Sequence, residues 1–174
     1  MKKIISNQTL FLCFLLLLGC SDCNARKSKK QSFMKEIISP ILKDSLGDSL
    51  CSIIIDAERI KVKRLSTKTD SLEKNSTKWL SKREMGIASF LIIANSNYSH
   101  PSLVYGKYSP NVSFTFYSKK GHIDVEIDFG LKRMCFHGEK AVFLDINEDY
   151  LLKLCNMLFP NDKYLSFILK EITK

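Results

Sequence analysis

The chain has 174 residues, 45% of them hydrophobic and 26% charged, with seven Gly and four Pro; that balance fits one ordinary globular domain and excludes a disordered, collagen-like or low-complexity chain. Only one stretch, near the N-terminus, is continuously apolar, which excludes a protein of many membrane-spanning helices. The formal net charge of +9 raises nucleic acid as a partner, but the basic residues are scattered over a tether, the Lys61–Arg64 stretch and helix surfaces, and the expectation is no nucleic-acid partner.

Met1-Lys2-Lys3 is a short basic start, and Leu10 to Leu18 reads LFLCFLLLL, nine apolar or cysteine residues in a row. A bilayer-spanning helix needs about 20 apolar residues, so this run is the hydrophobic region of a secretory signal rather than a span. It ends in Leu17-Leu18-Gly19-Cys20. Those four residues resemble the lipobox of bacterial lipoproteins, with Leu three positions before the cysteine and a small residue directly before it. The resemblance implies that residues 1–19 are removed as a type II signal peptide. It further implies that the Cys20 thiol carries a diacylglyceryl group, that the new amino terminus is acylated, as by palmitate, and that the lipid anchors the protein in a bacterial envelope membrane. Two or more acyl chains anchor firmly, because each buried CH₂ contributes about 0.8 kcal/mol and one chain is marginal.

Residues 20–31 form a tether in which Arg26, Lys27, Lys29 and Lys30 meet no acid between Asn24 and Gln31. Such a segment attracts anionic head groups or an acidic wall polymer, by about 1 kcal/mol per basic residue, or serves as a solvated spacer; composition leaves both open. Some surface-exported lipoproteins carry an acidic cluster after the cysteine. Here only Asp22 is acidic and basic residues follow, which favours the periplasmic face. Beyond Cys20, four cysteines remain: Cys23, Cys51, Cys135 and Cys155. They allow three pairings among which spacing does not choose, and no C-x-x-C excludes Cys20, so zinc and thioredoxin-like motifs are lacking.

Residues 32–174 read as a single domain. Phe33, Met34, Ile37, Ile38, Ile41 and Leu42 recur at helical spacing over Gln31–Leu46, with Pro40 expected to restart or kink the helix and Gly47 to end it. Cys51–Leu65 is expected to be β-rich, Ile60 and Val62 alternating with Lys61 and Lys63. Ser66–Lys78 is a polar connection. Ser81-Lys82-Arg83-Glu84 matches a capping box, and Met85, Ala88, Leu91 and Ile92 continue one helical face. A loop from Ser96 to Pro110 carries Tyr98, Tyr105 and Tyr108.

Val112, Phe114 and Phe116 alternate with Ser113, Thr115 and Tyr117; after Lys119-Lys120-Gly121, Ile123–Phe129 alternates against Asp124, Glu126 and Asp128, which makes a hairpin. Leu131–His137 and Ala141–Ile146 extend it to a meander. Asn147 is expected to cap a closing helix bearing Leu151, Leu154 and Leu158, which Pro160 stops before a short final helix opened by Asn161. The predicted fold class is α+β, an antiparallel β-meander sheet of about five strands with helices packed on one face. This order of elements resembles small lipoproteins of the Bacteroidetes type, a likeness that carries no activity with it.

Chemistry-bearing motifs are few. Cys135 and His137, two apart on a strand, share a face and could pair a thiolate with a base, although no third orienting group is visible. Asp124, Glu126 and Asp128 line one strand face; a hard cation would accept such oxygens, but Lys119, Lys132 and Arg133 across from them favour cross-strand charge pairing. No metal or cofactor is expected. Asp70-Ser71-Leu72, like Asp44-Ser45-Leu46 and Asp48-Ser49-Leu50, is similar to the short O-glycosylation acceptor sites of Bacteroidetes envelope proteins, and its polar setting singles out Ser71. The leading expectation is a non-enzymatic envelope lipoprotein that binds a protein, glycan or wall partner through the solvated sheet face and Tyr98, Tyr105 and Tyr108, since exposed tyrosines anchor contacts. The alternatives are an inhibitor or immunity-type protein and a cysteine-dependent hydrolase.

Overall fold

A computed structural model describes residues 33–34, 36–65, 76–94, 98 and 106–172; Cys20, the tether, Cys23, Ser71, His100 and Tyr105 lie outside the described residues. Helix α1 spans Pro40–Ile55, followed by β1 (Arg59–Arg64), β2 (Thr77–Trp79), α2 (Lys82–Ile93), β3 (Val112–Ser118), β4 (Gly121–Asp128), β5 (Arg133–His137), β6 (Ala141–Asp145), α3 (Asp149–Leu158) and α4 (Lys163–Ile172). The six strands form one antiparallel sheet in the order β2-β1-β3-β4-β5-β6. The fold is α+β, as the alternation predicts, with Thr77–Trp79 added as a sixth, edge strand at the end of the polar connection.

Register fixes the two faces. Val62, Phe114, Val125, Phe136 and Val142 stand in one row across β1 and β3 to β6. Ile60, Phe116 and Ile123 form a second row, and Val112, Ile127, Met134 and Leu144 lie in a third. Burial of these rows under the helices makes the core, and each fully buried large apolar side chain contributes about 1.5–3 kcal/mol. Lys61, Lys63, Ser113, Thr115, Tyr117, Asp124, Glu126 and His137 occupy the opposite, solvent-facing side.

Helix α1 departs from expectation. Ser39 caps it, its Oγ accepting from the Leu42 amide at 3.5 Å, and Pro40 takes the first helical position, where a missing N–H costs nothing. Gly47 breaks the helix with φ 74°, ψ 167°, but the chain resumes the helix through Cys51–Ile55, the segment predicted to begin a β-rich stretch. The reason is tertiary: Cys51, Ile53, Ile54 and Ile55 all enter the core, and packing overrides the weak strand preference of β-branched residues. Helix α2 has the predicted capping box, with the Glu84 carboxylate accepting from the Ser81 amide at 2.7 Å and Ser81 Oγ from the Glu84 amide at 3.4 Å. Its Ser89 hydroxyl donates to the Ile54 carbonyl of α1 at 3.2 Å.

The N-cap positions of the two C-terminal helices fall one residue later than expected. Glu148, not Asn147, takes the N-cap position of α3, while Asn147 Oδ1 accepts from the Asp149 amide at 3.4 Å. Asp162, rather than Asn161, caps α4 by accepting from the Leu165 amide at 2.9 Å. Asp162 also meets Arg64, which the β1 alternation carries to the buried face: Nε to Oδ2 is 2.7 Å, and the Arg64 Nη1 donates to the Asn111 carbonyl at 2.8 Å and to the Leu65 carbonyl. The Tyr164 ring lies 5.4 Å from the guanidinium carbon. Among the described residues no helix is long and apolar enough to cross a membrane.

Candidate binding face

The solvent side of the sheet is chemically graded from one edge to the other. Strand β1 presents Arg59, Lys61 and Lys63; β3 presents the hydroxyls of Ser113, Thr115 and Tyr117; β4 presents His122, Asp124 and Glu126. Neighbouring strands are about 4.8 Å apart, so the cationic and acidic columns stand roughly 10 Å from each other with hydroxyls between.

At the β2–β1–β3 corner the side chains form a connected cluster. The register sets Trp79 opposite Lys61 and Arg59 opposite Tyr117, with His122 opposite Tyr117 on the other side. The Arg59 guanidinium carbon sits 4.0 Å from the centre of the Trp79 ring and Lys61 Nζ 6.0 Å from it, geometries in which ring quadrupole and cation attract by about 0.5–1 kcal/mol at an exposed site. Trp79 and Tyr117 rings lie 5.8 Å apart, and Tyr117 stacks on His122 at 6.0 Å. Trp79 is 47% and Tyr117 37% exposed, so these rings are held in place by one another yet open to a ligand. Composition offered a faint signal for this corner: the single Trp of the chain directly follows a polar stretch, and the β3 alternation sends Tyr117 to the same side as Ser113 and Thr115.

The tyrosines expected to anchor a partner are placed differently. Tyr98 is not exposed: it is buried, pairs with Ile146 in an isolated bridge, and its hydroxyl donates to the Ile92 carbonyl, because the chain leaving α2 must satisfy that helix-end carbonyl inside the core. Burial pushes its hydroxyl pKa well up. Tyr108 is half-buried on the solvent side of β4–β6. Its hydroxyl donates to the Glu126 carbonyl at 3.0 Å and its ring meets Phe143 edge-on at 5.2 Å. Phe143 itself is 49% exposed, giving the face a second aromatic position.

Cys135 lies in the row between Glu126 and Phe143, the row Tyr108 crosses, and is fully buried. Burial, with the nearby Glu126 charge adding to it, pushes its thiol up to about 11. His137 shares the face, as the spacing predicts, but its Nε2 lies 2.9 Å from Glu126 Oε2. Cys51 and Cys155 are buried too, and the three are free thiols; burial raises Cys51 to about 11, with Asp48 adding to it.

Charge pairing takes other partners than the predicted ones. Arg133 lies beside Asp128 in register, yet binds Asp145 at 2.8 Å, because Asp128 is occupied by the backbone: it accepts from the Ser109 amide at 2.7 Å and the Leu131 amide at 3.0 Å. Lys132, in a turn with φ 52°, reaches Glu148 at 2.7 Å, and Lys119 reaches Glu58 at 4.0 Å. The acidic column therefore keeps Asp124 and the His137-paired Glu126 on the open face. No group of three or more His, Cys, Asp or Glu side chains that could hold a metal ion occurs among the described residues.

Neither a family model, nor a curated protein, nor a solved structure matches the chain. Function has to be argued from the face itself.

Proposed function

We propose that the protein is a lipid-anchored lipoprotein of the bacterial envelope whose domain is a binding module, holding a protein, glycan or wall partner on the solvent side of the sheet. The observation that carries the reading is that this side displays ordered, exposed aromatic and charged side chains instead of the scattered polar cover of an inert surface. Trp79, Tyr117, His122 and Phe143 stand out of the sheet at positions set by register, and partially exposed aromatics with a polar surround are the usual anchors of recognition. The leader supports the address: Leu17-Leu18-Gly19-Cys20 after a nine-residue apolar run, followed by a basic tether.

The hydrolase alternative draws no comparable support. A nucleophilic cysteine needs its thiolate, whereas Cys135 is buried with its thiol held protonated at neutral pH.

The address is tested by producing the full chain in a bacterium fed radiolabelled palmitate. Label should enter the protein and follow it into the membrane fraction, and Cys20→Ala should abolish the label and release or retain the protein as an uncleaved precursor. Equal labelling of Cys20→Ala would contradict the anchor.

A further inference from the structure

We propose that the corner formed by Trp79, Tyr117, His122, Arg59 and Lys61 is a binding site for an acidic polysaccharide, one in which charged sugars are interspersed with neutral ones; the proposal deepens the binding-module reading and rests on it. Three features of the corner converge on that ligand. First, the Trp79 and Tyr117 rings, 5.8 Å apart and tilted by 45°, remain partly exposed, so beside the areas met by Arg59 and His122 they keep adjoining aromatic surface. The C–H groups of a pyranose face carry partial positive charge and settle on the negative face of such rings.

Second, the charge is complementary. The Arg59 guanidinium carbon sits 4.0 Å from the centre of the indole, which holds at the corner a group able to make paired hydrogen bonds to a carboxylate or sulfate. Lys61 and Lys63 continue the cationic column along β1, two residues or about 6.6 Å apart, and extend the positive potential beyond Arg59.

Third, the rest of the face discriminates between polyanions. Beyond the hydroxyls of β3 stand Asp124 and Glu126, roughly 10 Å from the cations against a Debye length of about 8 Å at physiological salt, so the two columns are only partly screened from each other. A single-stranded nucleic acid stacks on the same kind of aromatic platform and needs a positive groove along its backbone. Here the positive track is one strand wide and is flanked, across the hydroxyls of β3, by a parallel column of carboxylates. A polysaccharide of lower charge density places its hydroxyl donors against the same carboxylates and against Ser113 and Thr115, so the acidic column becomes part of the recognition surface.

The test uses the full chain in detergent and titration calorimetry with three probes: a hyaluronan hexasaccharide, in which acidic and neutral sugars alternate; the neutral hexasaccharide of N-acetylglucosamine; and oligothymidylate. Hyaluronan should bind, the neutral sugar at least tenfold more weakly, and oligothymidylate more weakly than hyaluronan. Raising salt should weaken hyaluronan binding. Trp79→Ala and Arg59→Gln should each weaken it about tenfold or more, the scale on which truncating a central contact acts. Because β2 is a three-residue edge strand, Lys61→Gln and Tyr117→Ser, outside β2, are measured alongside and should weaken hyaluronan binding while the protein still melts cooperatively above the temperature of the titration.

Absence of hyaluronan binding, equal affinity for the neutral sugar, tighter binding of oligothymidylate, or wild-type affinity in all four variants would each overturn the assignment. Failure here is distinguishable from failure of the binding-module reading. A photo-reactive residue at position 117 that captures a protein in cells, with no acidic glycan bound in solution, removes the polysaccharide and leaves the face as a binding surface. Loss of both removes both.

Discussion

Among the described residues Arg64 is the largest fully buried side chain, and Asp162 faces it with both oxygens engaged: Oδ2 with Nε at 2.7 Å, Oδ1 with Nη2 at 3.4 Å and with the Leu165 amide at 2.9 Å. The pair ties the end of β1 to the start of α4, and the Arg64 Nη1 group donates to the Leu65 and Asn111 carbonyls. Removing one partner strands the other charge in an apolar medium, so Asp162→Ala should destabilise the domain by about 3–5 kcal/mol, read as a lower urea midpoint. A loss below 1 kcal/mol would show the pair to be replaceable by water. At this scale legibility was uneven. The alternation Ile60, Val62, Arg64 marks which way Arg64 points, but its partner lies 98 residues away, and a single chain gives no signal linking β1 to Asp162. The same holds for Tyr98: one letter among polar neighbours looks exposed, and only the fold turns its hydroxyl onto the Ile92 carbonyl.

Among the elements, α2 is the one whose start was most readable, since a capping box is local chemistry complete within Ser81–Glu84. Burial alone would raise the Glu84 carboxyl, but hydrogen bonds from the Lys78 ammonium at 2.8 Å and from Ser81 outweigh it and hold the group at about 2 instead of the ordinary 4.5. A carboxyl with a lowered folded-state pKa adds stability that is fully present above its unfolded value and lost as pH falls through its folded value. Unfolding free energy should therefore decline between about pH 4.5 and pH 2, and Glu84→Gln should flatten that part of the profile while lowering stability at pH 7. An unchanged acid limb in Glu84→Gln would show that the box carries no such linkage. Helix α1 was less readable. Gly47 signals a break, and its φ of 74° is one that a side chain would strain, but whether the chain resumes as helix or strand after a break depends on what covers it. Cys51–Ile55 is rich in β-branched residues yet continues helix α1, which packs against β3, β4 and β6.

Across the whole molecule, the alternation in β1 and β3 to β6 was enough to foresee an antiparallel sheet with one covered face. The short edge strand β2 was not foreseen, since three exposed residues have no inside to alternate with. That omission also hid the corner proposed as the binding site, because Trp79 joins Arg59 and Tyr117 only once β2 pairs with β1. The helical layer and the sheet thus divide the labour: one side supplies the core that holds strand register, and the other turns that register into an ordered array of aromatics, cations, hydroxyls and acids. If the sheet side is the binding face, as proposed, the helical layer serves as its control. Met157 on α3 is 73% exposed, yet it belongs to the helical layer and has no part in the array.

The most direct test of the binding face is a comparison of photo-reactive residues placed one at a time at Tyr117 and at Met157 in the full chain, illuminated in living bacteria and followed by the mass of the adducts. A discrete adduct from position 117 that is absent from position 157, and that fades when Arg59 and Trp79 are replaced, is the predicted result. No adduct from position 117, or the same adduct from both positions, would contradict the claim that the solvent side of the sheet is where this protein meets its partner.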